Sequence, residues 1–271
     1  MMIYHYTTID SLALILKNKT LLFNRLDCVD DLEEGEVESS GIKLGRYIFV
    51  SCWTESAEES IPLWKMYAGD GMGVRIGLER EMFKRFYIEN PIWGEQQWRG
   101  RMWQLLPPSE YENENYFVLP FLSFDENSIF YNKIQYVDDV FEKTKDAAKM
   151  EPTSDGKANA TVMIGEIGKY KHKRWAFQDE SRFRIHILPI NPLRADPNEV
   201  GTLAMQSLWQ NKQLPFTKYF LHLNEEVLSN IEITLRPTAN DGHRAIIEAL
   251  KTLYAPNATI QESSLGRLVK I

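Results

Sequence analysis

The chain has 271 residues, 44% of them hydrophobic, which is enough to bury a sizeable core in one large domain or two small ones. A formal net charge of −7 excludes attraction of the whole molecule to nucleic acid or anionic lipid, although it allows a local basic patch. Prolines and glycines are scattered and no segment is repetitive, which favours a single domain over residues 1–271.

The cysteines and the N-terminus give further expectations. Cys28 and Cys52, like the five histidines, lack the spacing of a zinc or redox site, so we expect free thiols and no metal. The N-terminus has no basic segment followed by an apolar one, and no apolar run has membrane-spanning length. These features predict a cytoplasmic protein without membrane contact.

The first part of the chain alternates between strand-like and helical patterns. Runs of β-branched and aromatic residues predict strands at residues 3–6, 21–23, 46–52 and 72–78. One helix is predicted after Thr8 or Asp10 as N-cap, and a second is opened by Ser60 with Pro62 in its first turn. The acidic stretch 27–38 has no apparent buried face and is expected to be a loop or an exposed helix.

The remainder is less regular. Residues 90–115 hold three Trp and three Pro without periodicity and are expected to form a loop or small insertion. Strands and helices are predicted beyond it: strands at 133–137, 182–190, 219–223 and 231–235, helices at 138–150, 158–171 and 241–253. Because no βαβ repeat is present, the pattern predicts an α+β fold with a central mixed sheet.

Four short segments carry side chains suited to ligand binding. They are YHYTT with His5 and Thr7, FVSCWT with Ser51 and Trp53, LWKMY with Trp64 and Tyr67, and FQDESR with Gln178, Glu180 and Arg182. The first three have ordinary structural interpretations, since a lone histidine on a strand is more often structural and aromatics three apart on a helix usually belong to the core.

The fourth segment is the most informative. Gln178 and Glu180 lie in a short loop directly before an alternating strand, a place that catalytic groups favour. The alternative is that Glu180 pairs with Arg182 or Arg184 at the surface, where such a pair contributes little.

The order of these segments resembles that in a bacterial family of unknown function, numbered 2971. The matching motifs are Y-H-Y-T, S-x-W-T, L-W-x-x-Y followed by G-x-G-V-x-I, and W-x-F-Q-x-E-x-R. The resemblance spans residues 3–264. Asp30-Asp31-Leu32-Glu33 resembles that family's N-D-P-x-E loop, with Asp30 and Leu32 in place of the usual Asn and Pro. That family in turn resembles the ADP-ribosyltransferase superfamily, which implies a split mixed sheet and NAD as substrate.

The superfamily's three-part signature implies three site residues here: His5, Tyr67 and Glu180. His5 would then bind the nicotinamide-side ribose, and Tyr67 or Trp64 would stack on the nicotinamide ring. Alternatively, Ser51 and Thr54 represent the Ser-Thr-Ser element of the superfamily's Arg-type branch.

The other implied roles concern catalysis and phosphate binding. Glu180 would stabilise oxocarbenium character on the ribose, and Gln178 would orient the acceptor. Thr7, Ser51 and Trp53 would line the NAD site beside these groups. Arg182 and a basic run would bind the pyrophosphate or an anionic acceptor. The alternative is that this run is a solvated helix face. Its members are Lys169, Lys171, Lys173 and Arg174.

Three functions follow from this resemblance. The first is an NAD-dependent ADP-ribosyltransferase that modifies a protein or nucleic-acid acceptor, as a toxin or phage-defence effector. The second is an NAD glycohydrolase, which uses water as acceptor. The third is a catalytically silent domain that binds a nucleotide or a partner protein, in which His5, Tyr67 and Glu180 need not converge.

Overall fold

The fold comes from a computed structural model that describes residues 1–69, 72–89, 92–93, 96–97, 99–119, 124, 128–152, 158–196 and 198–269. Seven α-helices lie in these residues: α1 Ile9–Asn18, α2 Leu32–Gly35, α3 Ile61–Tyr67, α4 Val140–Thr144, α5 Val200–Trp209, α6 Glu225–Ser229 and α7 Asp241–Tyr254. None of these helices combines the length and apolarity needed to cross a membrane.

The same residues contain twenty strands. In chain order they are β1 Met2–Thr8, β2 Thr20–Arg25, β3 Glu38–Ser39, β4 Ile42–Lys43, β5 Ile48–Thr54, β6 Gly73–Glu79, β7 Phe86–Glu89, β8 Ile92–Trp93, β9 Gln96–Gln97, β10 Arg101–Gln104, β11 Phe117–Val118, β12 Tyr131–Lys133, β13 Gln135–Val137, β14 Ala148–Pro152, β15 Ala158–Val162, β16 Tyr170–His172, β17 Glu180–Leu188, β18 Lys218–His222, β19 Glu232–Leu235 and β20 Thr259–Gln261.

Ten of these strands form one central mixed sheet. Its main path runs β11-β17-β5-β1-β6-β19-β20, with β12 beside β17 and β18 joined to β5 through β2. β19 and β20 are parallel, whereas the other pairs in this sheet are antiparallel. Helices flank the sheet, so the predicted α+β class with a mixed sheet is confirmed.

The central sheet separates between β1 and β5. β1 pairs with β6 over seven residues, and β5 pairs with β17 over seven. Between β1 and β5, by contrast, the register contains one pair, Tyr4 with Thr54. Since paired strands lie about 5 Å apart, the loss of pairing beyond Tyr4 opens a gap between the two halves of the sheet.

Local sequence explains how the chain enters and leaves α1 beside this gap. The Thr8 hydroxyl accepts a hydrogen bond from the Ser11 amide, which caps the helix, and Lys19 ends it in the left-handed conformation. Leu12 and Leu16, on one face of the helix, are fully buried against the sheet. The predicted strand, N-cap and helix at the start of the chain are therefore confirmed.

Two predicted helices are wrong. Residues 138–150 contain the short α4 and the start of β14, and residues 158–171 contain β15, a 3-10 turn and part of β16. The Ser39 hydroxyl accepts from the Ala148 amide at 2.9 Å, while Ser39 and Ser40 hydroxyls donate to the Ala148 carbonyl. These bonds take the backbone groups that a continued helix would use, and β14 pairs with β15 instead.

The acidic stretch also differs from its prediction. It contains α2, in which Glu34 is buried, with 1% of its surface exposed, and the preceding Asp31 is buried as well. The backbone at the end of α2 packs directly against the backbone at Gly45. A side chain at Gly45 would prevent this contact, because its Cβ would lie 2.3 Å from the Gly35 carbonyl oxygen. In the predicted Trp/Pro-rich insertion, the described residues form short strand pairs and a 3-10 turn, and Trp98 lies outside the described residues.

Candidate functional site

A cavity of about 700 Å³ lies where the central sheet separates, a volume typical of small-molecule sites. Eight of the nine site residues proposed from the sequence line it: His5, Thr7, Ser51, Trp53, Tyr67, Gln178, Glu180 and Arg182. They come from β1, β5, α3, β17 and the turn before β17. The fold therefore brings together side chains that are far apart in the sequence.

Trp64 is the exception. Its side chain is fully buried in a small cluster with Tyr6 and Leu63, edge-on to the Tyr6 ring, and its indole N–H donates to Glu59 at 2.8 Å. Although Trp64 and Tyr67 are three residues apart, they face different surroundings. Trp64 is a packing residue, so it cannot stack on a ligand in the cavity without rearrangement.

The turn before β17 places Gln178 and Glu180 at the cavity. Between them, Asp179 adopts a left-handed conformation with φ of 42°, which aspartate tolerates better than most residues. This reverses the chain after a 3-10 segment and starts β17 at Glu180. The Glu180 amide is bonded to the Tyr136 hydroxyl at 2.9 Å, which fixes the start of the strand.

Glu180 is held in a buried ion cluster. Its Oε1 accepts from Arg182 Nε at 2.6 Å and its Oε2 lies 2.8 Å from Lys171 Nζ. Arg182 also donates two hydrogen bonds to Glu34, at 2.7 and 3.0 Å. All four side chains are at most 4% exposed, and their charges balance as two carboxylates and two cations.

The cluster fixes the charge of Glu180. Burial alone would raise its pKa, but the charges of Arg182 and Lys171 outweigh burial and hold the pKa well below its usual range. Glu180 is therefore a carboxylate at neutral pH. At Glu34 the balance is different, since burial raises the pKa despite the opposing charges of Arg182 and Lys171.

A chain of hydrogen bonds continues the cluster toward Tyr67. Lys171 Nζ donates to Gln178 Oε1 at 2.8 Å, and Gln178 Nε2 donates to the Tyr67 hydroxyl at 2.6 Å. Tyr67 in turn donates to Asp30 at 2.8 Å. Burial, followed by the bond to Asp30, raises the pKa of Tyr67, so its hydroxyl stays protonated. Tyr67 and Gln178 are thus held in fixed positions at the cavity wall.

His5 faces this cluster from the other half of the sheet. Its Nδ1 donates to the Cys52 carbonyl at 2.8 Å, and its ring lies 5.2 Å from the Trp53 ring. Trp53 is itself held by its indole N–H, which donates to the Ser51 hydroxyl at 3.0 Å. Burial lowers the pKa of His5, so the ring is neutral and its Nε2 is a hydrogen-bond acceptor.

The Cys52 side chain belongs to the same wall. Burial, followed by the negative charge of Glu180, raises the pKa of its thiol far above the usual range. Cys52 is therefore a protonated thiol rather than a nucleophile. Cys52 and Cys28 are both free cysteines, and the described residues hold no group of His, Cys, Asp and Glu arranged to bind a metal ion.

The proposed phosphate-binding groups are already used within the protein. Arg182 is fully buried between Glu180 and Glu34, and Lys171 is bonded to Glu180 and Gln178. The other three members of the basic run pair with carboxylates outside the cavity: Lys169 with Glu166, Lys173 with Asp138 and Arg174 with Glu33. The run lies just before β16, in β16 and in the 3-10 turn that follows, so its interpretation as a solvated helix face is wrong, while its contact with a pyrophosphate or an anionic acceptor stays a prediction.

Sequence reasoning missed Glu34 and Asp30. Both were assigned to an acidic stretch without a buried face, although the N-D-P-x-E resemblance placed a glutamate at position 34. That motif position was the available signal for a role of Glu34 beside Arg182 and Glu180. Asp30 occupies the first position of the same motif, but nothing in the motif indicated its partner Tyr67, which lies 37 residues away.

Comparison with known proteins matches part of the chain to one family model and gives no activity. No curated protein and no solved structure matches the chain. Residues 63–183, which include Tyr67, Lys171 and Glu180, match the model of a family described as a protein of unknown function, DUF2971, and this match supports the assignment to that family made from the sequence.

Proposed function

We propose that the cavity at the separated sheet binds NAD and that the protein cleaves its glycosidic bond as an ADP-ribosyltransferase, with a protein or nucleic-acid acceptor. The observation that carries the proposal is the convergence of His5, Tyr67 and Glu180 from three distant segments on one cavity. The gap between β1 and β5 supports an ADP-ribosyltransferase-like fold, for which a split sheet is expected. An NAD glycohydrolase would use the same donor site, with water as acceptor.

The wall of the cavity suits the nicotinamide riboside half of NAD. His5 Nε2 accepts a hydrogen bond from a ribose hydroxyl, since Nδ1 already donates to Cys52. The Tyr67 ring offers an aromatic face for nicotinamide, and the bonds to Asp30 and Gln178 hold that ring in place. Because these groups are preorganised by neighbouring residues, little ordering is required when the ligand binds.

Glu180 would act on the transition state. The bond between ribose C1′ and the nicotinamide nitrogen breaks, its electron pair leaves with neutral nicotinamide, and positive charge develops on the ribose. Glu180 accepts a hydrogen bond from the 2′-hydroxyl and stabilises this charge electrostatically. The acceptor then adds to C1′ and loses a proton, giving ADP-ribosylated acceptor, or ADP-ribose when the acceptor is water.

One feature favours a second candidate function. Arg182 and Lys171 already neutralise Glu180, and a neutralised carboxylate stabilises a developing cation less than a free one. This favours a domain that binds NAD or another nucleotide without cleaving it. The two candidates share the cavity and differ in turnover.

Turnover and binding therefore need to be measured on the same variants. Nicotinamide release from NAD and NAD affinity by calorimetry are compared for wild type, Glu180→Gln and Glu34→Gln. Glu34 belongs to the same ion cluster but does not line the cavity, so Glu34→Gln removes one carboxylate charge from the cluster without replacing a cavity-lining side chain. Circular dichroism at the assay temperature checks that each variant is folded.

We expect Glu180→Gln to bind NAD with near wild-type affinity and to lower turnover by about a hundredfold or more, because the lost interaction acts in the transition state. Glu34→Gln should retain turnover within about tenfold of wild type. Tight NAD binding without turnover by wild type would favour the silent domain. Absence of NAD binding would refute both functions.

A further inference from the structure

The cavity extends away from Glu180 into a second arm between α1 and the exposed face of β2 and β18. Six lining residues define this arm: Leu14, Asn18, Leu22, Asn24, Lys218 and Phe220. None of them belongs to the ion cluster or to the set proposed from the sequence. The arm is open to solvent, since Leu14 and Phe220 are 59% and 52% exposed.

Strand register places two kinds of side chain next to each other in this arm. Lys218 lies opposite Asn24, and Phe220 lies opposite Leu22, in the antiparallel pair of β18 and β2. Directly opposite residues share a face of the sheet, and residues two apart on one strand are about 7 Å apart on that face. A polar pair with a cation therefore adjoins an apolar pair with an aromatic ring.

The distribution of charge singles out Lys218. Three cations line the cavity among the residues that the structure describes: Lys171, Arg182 and Lys218. Lys171 and Arg182 are buried and paired with Glu180 and Glu34, whereas Lys218 is exposed and has no carboxylate within ion-pair distance among the described residues. Lys218 is thus the cavity's available cation for an anionic ligand.

We propose that this arm binds the phosphate-bearing half of the ligand, with Lys218 and Asn24 contacting the phosphate groups and Phe220 packing against the adenine base. That the ligand is NAD rests on the proposed function; the assignment of the phosphate site rests on the charge and register above. A lysine ammonium binds phosphate as a mobile point charge, and the adjacent aromatic face accepts a base without specific hydrogen bonds. The nicotinamide half then points toward His5 and Glu180, at the other end of the cavity.

The test compares a ligand that has a diphosphate with one that has no phosphate. Affinities for ADP-ribose and for nicotinamide riboside are measured by calorimetry for wild type, Lys218→Gln and Lys17→Gln. Lys17 is an exposed lysine in the last turn of α1 that does not line the cavity, so its variant is the matched control for the loss of one surface charge.

We expect Lys218→Gln to weaken ADP-ribose binding about tenfold and to leave nicotinamide riboside binding unchanged, with Lys17→Gln equal to wild type. The affinity for ADP-ribose should also fall with added salt less steeply in Lys218→Gln than in wild type. If Lys218→Gln and Lys17→Gln bind ADP-ribose equally well, the phosphate site is overturned and the proposed function stands.

The opposite result is also distinguishable. If ADP-ribose binding depends on Lys218 but wild type releases no nicotinamide from NAD, the phosphate site is supported and the proposed reaction fails. If wild type binds neither ADP-ribose nor NAD, both proposals are overturned.

Discussion

Loss of the Glu34 charge should destabilise the fold far more than loss of an exposed glutamate. Glu34 is 1% exposed and accepts two hydrogen bonds from Arg182, which is fully buried. Glu34→Gln leaves two cations and one carboxylate whose side chains are at most 4% exposed. Removal of one partner from a buried ion pair costs about 3–5 kcal/mol, so the free energy of unfolding should fall by about that amount.

Urea unfolding followed by circular dichroism measures this change. Glu225→Gln is the control, because Glu225 pairs with Lys19 at the surface, where such pairs contribute little. Its unfolding midpoint should match wild type within error, whereas that of Glu34→Gln should fall clearly. If the midpoints of the two variants agree, the ion cluster around Arg182 does not stabilise the protein as argued here.

Three further outcomes are expected. Burial lowers the pKa of His186 from 6.5 to about 3, so the unfolded chain binds a proton that the native state does not. Lowering the pH from 7.5 to 5 should therefore reduce the free energy of unfolding by about 2 kcal/mol. In urea unfolding, His186→Gln should show a smaller loss over the same pH range. Trp64→Ala should lower the free energy of unfolding by about 3–5 kcal/mol but leave the NAD affinity of the folded protein unchanged. Tyr67→Ala should weaken NAD binding in calorimetry. If Tyr67→Ala binds NAD as tightly as wild type, Tyr67 is excluded from the site. Iodoacetamide at pH 8 should label the exposed Cys28 before Cys52, as mass spectrometry of peptides can test, and faster labelling of Cys52 would contradict its raised thiol pKa.

Elements with strong local signals were predictable from the sequence. β1, β5, β6 and β17 are rich in β-branched and aromatic residues, and each overlaps its predicted strand. Thr8 and Ser60 cap their helices with their own hydroxyls, so these helix starts depend only on neighbouring residues. Local chemistry decides these elements, and local patterns find them.

Elements decided by distant partners were not predictable in this way. The alanine- and lysine-rich segment near residue 148 favours a helix by propensity, but hydrogen bonds from Ser39 and Ser40 and pairing with β15 produce a strand. The burial of Glu34 depends on Arg182, which is 148 residues away. When the distant partner of an acidic residue is not known, the sequence pattern predicts that the residue lies at the surface.

The residues of the candidate site also differ in whether a local motif or a distant partner determines their position. His5, Gln178 and Glu180 were found because short motifs surround them, and the structure adds what those motifs omit, namely the cations that neutralise Glu180. Lys218 carries no motif. Its place at the cavity follows from the pairing of β18 with β2, which the sequence alone does not specify.

A crystal structure of Glu180→Gln grown with NAD tests the central claim most directly, because this variant should bind the dinucleotide without cleaving it. The account predicts NAD in the gap between β1 and β5, with a ribose hydroxyl within hydrogen-bond distance of His5 Nε2 and the nicotinamide ring against Tyr67. NAD bound elsewhere on the protein, or an empty cavity at saturating NAD in a folded crystal, would contradict it.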